Sequence, residues 1–263
     1  MSTTPLLNIF WFRRDLRLED NTGLYYALNA GPKVFPIFIF DKSILNDIED
    51  KSDARVTYIY NQLTALNKKL SKYHSRISLI YGEPLSVFKS LQDTYNIRAV
   101  YSNEDYEPYA MTRDSKLKEF FNSKGIEFHQ YKDHVIFHKD DVLNKSDEPY
   151  KVFSAYKKRW LQELEGSEIS YFPSEDSLNK LTEIHYSQGV NLNKMGFSEN
   201  RDKIPENKLD PSLIKEYAKN RDYPHIDGTS RLGIHLRHGA LSIRTAVKFG
   251  LRYSSVWLNE LIW

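Results

Sequence analysis

Residues 227–233, Asp-Gly-Thr-Ser-Arg-Leu-Gly, collect the groups that hold phosphate. Thr229 and Ser230 supply hydroxyls and Arg231 a guanidinium, while Gly228 allows a turn that leaves amides free where a helix is predicted to begin. Amides, hydroxyls and a cation converging on a helix N-terminus form an anion cradle. Thr and Ser at such a position also serve as plain helix caps, so a structural reading stands beside the functional one. A second constellation lies in SVWLNELIW, residues 255–263. At helical spacing Trp257, Glu260 and Trp263 fall about 60° apart, giving one exposed stripe with two indoles around a carboxylate. An indole face stacks on a nucleobase with roughly 1–3 kcal/mol per base. A carboxylate between two such faces accepts hydrogen bonds from a base edge and stabilises a developing positive charge.

Two further clusters invite chemistry and fit it less well. WFRRDLRLEDN, residues 11–21, packs Arg13, Arg14 and Arg17 among acids but contains no glycine. Its backbone therefore cannot approach a pyrophosphate as a dinucleotide fingerprint requires, and paired charges pinning the turn to a neighbouring segment are the structural alternative. His225, His235 and His238 lie close together, yet no Asp, Glu or Cys completes a ligand pattern with them; no metal site is expected, and solvated or hydrogen-bonded histidine is the simpler reading. No nucleophile elbow or paired-carboxylate motif points to hydrolysis.

Composition bounds the rest. The 263 residues, 40% hydrophobic and 27% charged, suit one large domain or two modest ones with a true core. Aromatic residues make up 14%, which more often serves packing than ligand stacking. A net charge of +2 neither marks nor excludes a nucleic-acid partner, but residues 211–263 hold eight basic residues against four acidic ones. The absence of cysteine removes disulfides, thiolate nucleophiles and Cys-based zinc sites. The apolar run in MSTTPLLNIFWFRRD is too short for a signal peptide, and no stretch approaches the ~20 residues of a membrane span. A soluble, cytoplasmic protein is the expectation.

The elements that must position these groups read clearly in the first half. LLNIFWF, KVFPIFIF, RISLIYG, IRAVYSN and IEFHQYK are short apolar runs separated by helical patterns. One helix opens at a Ser52 or Asp53 cap with Val56, Ile59, Tyr60, Leu63, Leu66 and Leu70 on one face, and another begins at Pro84. Near-continuous strands alternating with helices predict a doubly wound α/β domain, a parallel five-stranded sheet over residues 1–130. Residues 131–210 read as a connector with one aromatic helix, followed by a long polar linker from about 165. Helical periodicity returns over 211–263.

Five segments in this order resemble the DNA photolyase and cryptochrome family: FWFRRDLRLEDN, NEDYEPYAMTRD, YKVFSAYKKRW, RDYPHIDGTSRLGIHLRHGALSIR and SVWLNELIW. The resemblance implies an antenna-type α/β domain, a linker, and the first helices of an all-α FAD-binding domain. It implies FAD contacts from Tyr217, Thr229, Ser230, Arg231, Leu232, Gly233, Trp257 and Glu260, with DNA contacts from Arg221, Glu260 and Trp263. Gly233 departs from the serine that relatives often carry. For a second chromophore the resemblance favours a deazaflavin over a folate, through Asp41, Arg55, Asp105, Glu107 and Arg237, since Tyr109 and Ala110 replace the pair that folate-binding relatives show. The same charges paired internally, with no chromophore, are an equal alternative. The implied activity is light-driven splitting of cyclobutane pyrimidine dimers in DNA by electron transfer from reduced FAD, in a monomeric protein. The alternative is a cryptochrome-type photoreceptor without repair. Relatives continue past NELIW with further helices of the FAD pocket. The resemblance therefore leads us to expect an exposed apolar patch on this chain, and FAD binding that is weak or absent.

Overall fold

In the computed structural model, which describes residues 5–184, 186 and 188–262, all five predicted strands form. They are β1 (Leu6–Phe12), β2 (Lys33–Asp41), β3 (Ser78–Gly82), β4 (Asn96–Asn103) and β5 (Glu127–Tyr131), in one sheet of order β3-β2-β1-β4-β5. Every pairing is parallel. The crossovers carry α1 (Thr22–Asn29), then α2 (Lys42–Asn46) and α3 (Ala54–Leu70), then α4 (Pro84–Thr94) and α5 (Pro108–Ser123). Successive side chains of a strand point to opposite faces, so a sheet covered on both sides needs apolar residues at every position. Phe10, Phe12, Phe38 and Phe40 pack with Leu24 and Leu63 of α1 and α3. Ile9, Trp11, Ile37 and Ile39 pack with Phe88 and Phe121 of α4 and α5. Asp53 caps α3 by accepting the amide of Arg55, and Pro84 and Pro108 occupy first helical turns, where a missing N–H costs nothing.

The chain divides into two compact units, and the division corrects the expected connector over 131–210. Phe172–Ile204 belongs to the α/β unit together with the chain up to Asp133; His134–Tyr171 belongs to the second unit with the chain from Pro205 onward. The supposed linker is thus structural. Leu178, Leu181, Leu192, Met195 and Phe197 are buried in the α/β core, and the Thr182 amide donates to the Val34 carbonyl at 2.8 Å. Short 3-10 turns at Ser174–Lys180 and Asn193–Met195 space these residues irregularly, so no helical or strand period announced them.

The second unit contains α6 (Phe153–Glu165), α7 (Pro211–Asn220), α8 (Gly233–Arg237), α9 (Ile243–Tyr253) and α10 (Ser255–Ile262). Trp160 and Leu164 of α6 pack with Val247, Leu258 and Ile262, while Ile214, Tyr217, Leu232, Ala246 and Trp257 form a neighbouring cluster. The aromatic helix of the expected connector supplies a wall of this unit's core.

Candidate cofactor and nucleic-acid site

The two constellations that began as separate sequence stretches meet in the second unit. The Trp257 indole Nε1 donates to Ser230 Oγ at 3.3 Å, tying α10 to the Thr229–Gly233 turn. Trp257 is 3% exposed, packed near Phe249 and seated among Tyr217 and Leu232. The expected exposed indole stripe is therefore corrected: α10 turns Trp257 inward and Glu260 outward. Burial gains an indole's large apolar area, and its one polar atom finds the Ser230 hydroxyl. Trp263 lies outside the described residues.

Arg221, the C-cap of α7, donates through Nη1 to Glu260 Oε1 and lies over the Tyr217 ring at 5.3 Å. The Glu260 carboxylate holds the Arg221 guanidinium above its usual range, and burial followed by Glu260 raises the Tyr217 phenol. Tyr217, Arg221 and Glu260 thus form one stacked, charge-paired group on α7 and α10.

Along 229–233 the side chains divide. Thr229, Arg231 and Gly233 are exposed and Ser230 half-buried, whereas Leu232 is core. Leu232 offers a ligand only its backbone. Arg231 adopts φ +49° and pairs with Asp227 at 2.9 Å on the surface, where solvent leaves the pair weak enough for an incoming anion to displace it. The helix start differs from expectation: α8 begins at Gly233, five residues long, and its cap Leu232 makes no side-chain bond. The Thr229 and Ser230 hydroxyls therefore do not cap it. Gly228 is required for closeness rather than flexibility, since a Cβ there would meet Asn220 Cβ at 2.6 Å. At Gly233 a Cβ would meet nothing. An exposed Thr229, a displaceable guanidinium and open space at Gly233 fit the phosphate-bearing part of a flavin nucleotide.

Of the histidines, His225 is exposed beside Tyr223, while His235 and His238 are buried. His235 Nε2 lies 2.8 Å from the Pro205 carbonyl, and burial lowers its pKa against that hydrogen bond. An imidazole kept neutral in the fold binds protons less readily than in the unfolded chain, so stability should fall as pH drops below about 6.5. Urea midpoints of the second unit are expected to decrease from pH 7.5 to 5.5, with His235→Gln flattening that slope. Among the described residues no group of three or more His, Asp or Glu could hold a metal.

The α/β unit shows what the arginine-rich turn does. Arg13 pairs with Asp114 at 2.6 Å and donates to the Asn103 carbonyl; Arg17 Nη2 donates to both Asp133 carboxylate oxygens at 2.8 and 2.7 Å. Asn103 Nδ2 reaches Asp15 at 2.6 Å and Asn21 at 2.8 Å, and its Oδ1 accepts the Gly23 amide. These residues lie beyond the carboxyl ends of β1 and β4, where the strand order reverses and open α/β sheets take ligands. Here the switch point is filled by the protein's own charges. Burial raises the Asp15 pKa, opposed by hydrogen bonds from Arg13 and Asn103.

The residues assigned to an antenna chromophore are also engaged. Asp41 accepts the Tyr109 hydroxyl at 2.6 Å; burial, followed by this bond, pushes that phenol up to about 12. Asp105 and Glu107 share Arg14 at 3.2 and 2.9 Å, and Arg55 pairs with Asp53. Arg237 belongs to the second unit. Each of these four α/β residues has a partner within the protein.

A family model described as DNA photolyase matches residues 8–175. The chain belongs to the DNA photolyase family. A deoxyribodipyrimidine photo-lyase from Synechococcus sp. (strain ATCC 27144) is 29% identical over 283 residues, covering 97% of this chain and 58% of that relative. An uncharacterized 31.6 kDa protein from Synechococcus sp. (strain PCC 6716) is also 29% identical, with 98% of both chains covered. Among solved structures, the Sulfolobus tokodaii photolyase, which holds two FAD molecules, superposes with a TM-score of 0.73 at 28% identity over 98% of this chain and 57% of its own. This photolyase-family chain thus spans somewhat more than half the length of the photo-lyases it matches. What the sequence did not reveal at the site were its supports: Asp227 for Arg231, Asn220 against Gly228, and Ser230 under Trp257.

Proposed function

We propose that this chain serves light-driven DNA repair as a deoxyribodipyrimidine photo-lyase, contributing the α/β domain and part of the flavin and lesion site. The observation that carries the proposal is the Trp257–Ser230 hydrogen bond, which joins the phosphate-holding turn to the helix bearing the base-facing carboxylate. In this reading Thr229, Ser230, Arg231 and the Gly233 backbone hold the FAD phosphates. Tyr217, Leu232 and Trp257 supply the apolar floor beneath them. Arg221 meets a DNA phosphate; Glu260, released from it, accepts hydrogen bonds from the flipped pyrimidines, and Trp263 stacks on them. FAD, when bound, supplies the electron that opens the dimer; the protein orients it and excludes water. We place this activity in a cytoplasmic monomer. Among the described residues no helix is long and apolar enough to cross a membrane.

For a second chromophore, a deazaflavin would have to displace Tyr109 from Asp41 and Arg14 from Asp105 and Glu107. We propose that these charges serve the fold and that the α/β unit retains neither deazaflavin nor folate on purification.

Fluorescence titration with FAD tests the flavin assignment. The chain is expected to bind weakly, Arg231→Ala to lose roughly tenfold in affinity as one charge-assisted contact is removed, and Gly233→Ser, for which there is room, to gain. Binding that is absent at millimolar FAD, or indifferent to both substitutions, would overturn the assignment.

A further inference from the structure

The outward face of α9 carries a cationic surface that the flavin and lesion residues do not use. Thr245, Lys248 and Arg252 are exposed and fall within about 60° of one another around the helix. The helix IRTAVKFGLRY contains no acidic residue, and its remaining cation, Arg244, is buried. Lys215 of α7 extends the face: its Nζ lies 5.4 Å from the Tyr253 ring centroid, and the Arg252 guanidinium lies 5.1 Å from the same ring. The ring face attracts both cations and partly offsets their mutual repulsion. No carboxylate pairs with Lys215, Lys248 or Arg252 among the described residues; the nearest acid in sequence, Glu216, pairs with Lys219. Two exposed arginines elsewhere in this unit are matched, Arg221 by Glu260 and Arg231 by Asp227. Unlike those arginines, Arg252 has no carboxylate partner among the described residues.

We propose that this face, Thr245, Lys248 and Arg252 with Lys215, binds the phosphate backbone of duplex DNA. The proposal rests on the DNA-repair reading above and adds a contact surface to it. Lys248 and Arg252 stand about 6 Å apart along the helix, close enough to meet neighbouring phosphates of one strand. Such contacts position a duplex without reading its sequence, which suits a protein whose target is a lesion.

Anisotropy titrations of a labelled, undamaged duplex at several salt concentrations test this with the full chain. Lys248→Gln/Arg252→Gln should weaken binding about tenfold near 0.1 M salt and reduce the slope of log affinity against log salt by about two. The charge-keeping Lys248→Arg/Arg252→Lys should bind as the parent does, and Lys116→Gln/Lys118→Gln on α5 should change little. If the parent binds DNA and the α9 double variant binds equally well, the α9 surface is overturned and the repair reading stands. A parent that fails to bind any duplex would overturn both. Loss of binding to phosphatidylserine vesicles rather than to DNA would assign the face to a membrane and overturn the proposal.

Discussion

Asp133→Ala should unfold the α/β unit more readily than any other single substitution on its polar rim, with an expected loss of about 3–5 kcal/mol. The Asp133 carboxylate is 2% exposed and takes both bonds from Arg17. It also accepts the Thr22 amide at 3.0 Å and the Thr22 hydroxyl at 2.9 Å, placing a negative charge on the first turn of α1. Removing it strands a buried guanidinium and uncaps that turn together. Asp133→Asn keeps the shape and one acceptor, so it should cost less. Urea unfolding followed by circular dichroism checks both, and equal, small losses for the two variants would show that Arg17 finds another partner.

Trp257→Ala should destabilise the second unit by roughly 3–5 kcal/mol, since it opens a large cavity in a small core. Trp257→Phe keeps most of the apolar area and loses chiefly the Nε1 bond to Ser230, so about 1 kcal/mol is expected. The pair separates packing from positioning. If Trp257 orients the phosphate turn, Trp257→Phe should weaken FAD binding more than its small stability loss explains, and Ser230→Ala should mimic it. A variant with parent-like FAD affinity would leave Trp257 as core alone.

The α/β sheet was legible because both of its signals are local. Strand runs such as Leu6–Phe12 and Lys33–Asp41 are apolar at nearly every position, and helix starts are marked by Asp53, Pro84 and Pro108 within a residue or two of where they form. The stretch over Phe172–Ile204 was not legible, because its buried residues are anchored by a partner far away in sequence. Val34 and Leu18 accept from Thr182 and Ser174, and neither contact leaves a periodic trace. The arginine-rich turn was half legible: residue types showed that charges must be paired, but their partners Asp114 and Asp133 lie about a hundred residues away.

At the site the same division holds. The sequence by itself determined the family, the parallel order of elements and which residues could touch a phosphate or a base, since these depend on residue type and short spacing. Tertiary structure alone decided which way those residues face. Helical spacing placed Trp257 and Glu260 on one stripe, yet packing against Ile214, Tyr217 and Ala246 rotates the indole into the core and leaves the carboxylate to Arg221. A helix has no preferred side until a second surface offers somewhere to bury its largest apolar group, and that surface comes from parts of the chain no local pattern connects.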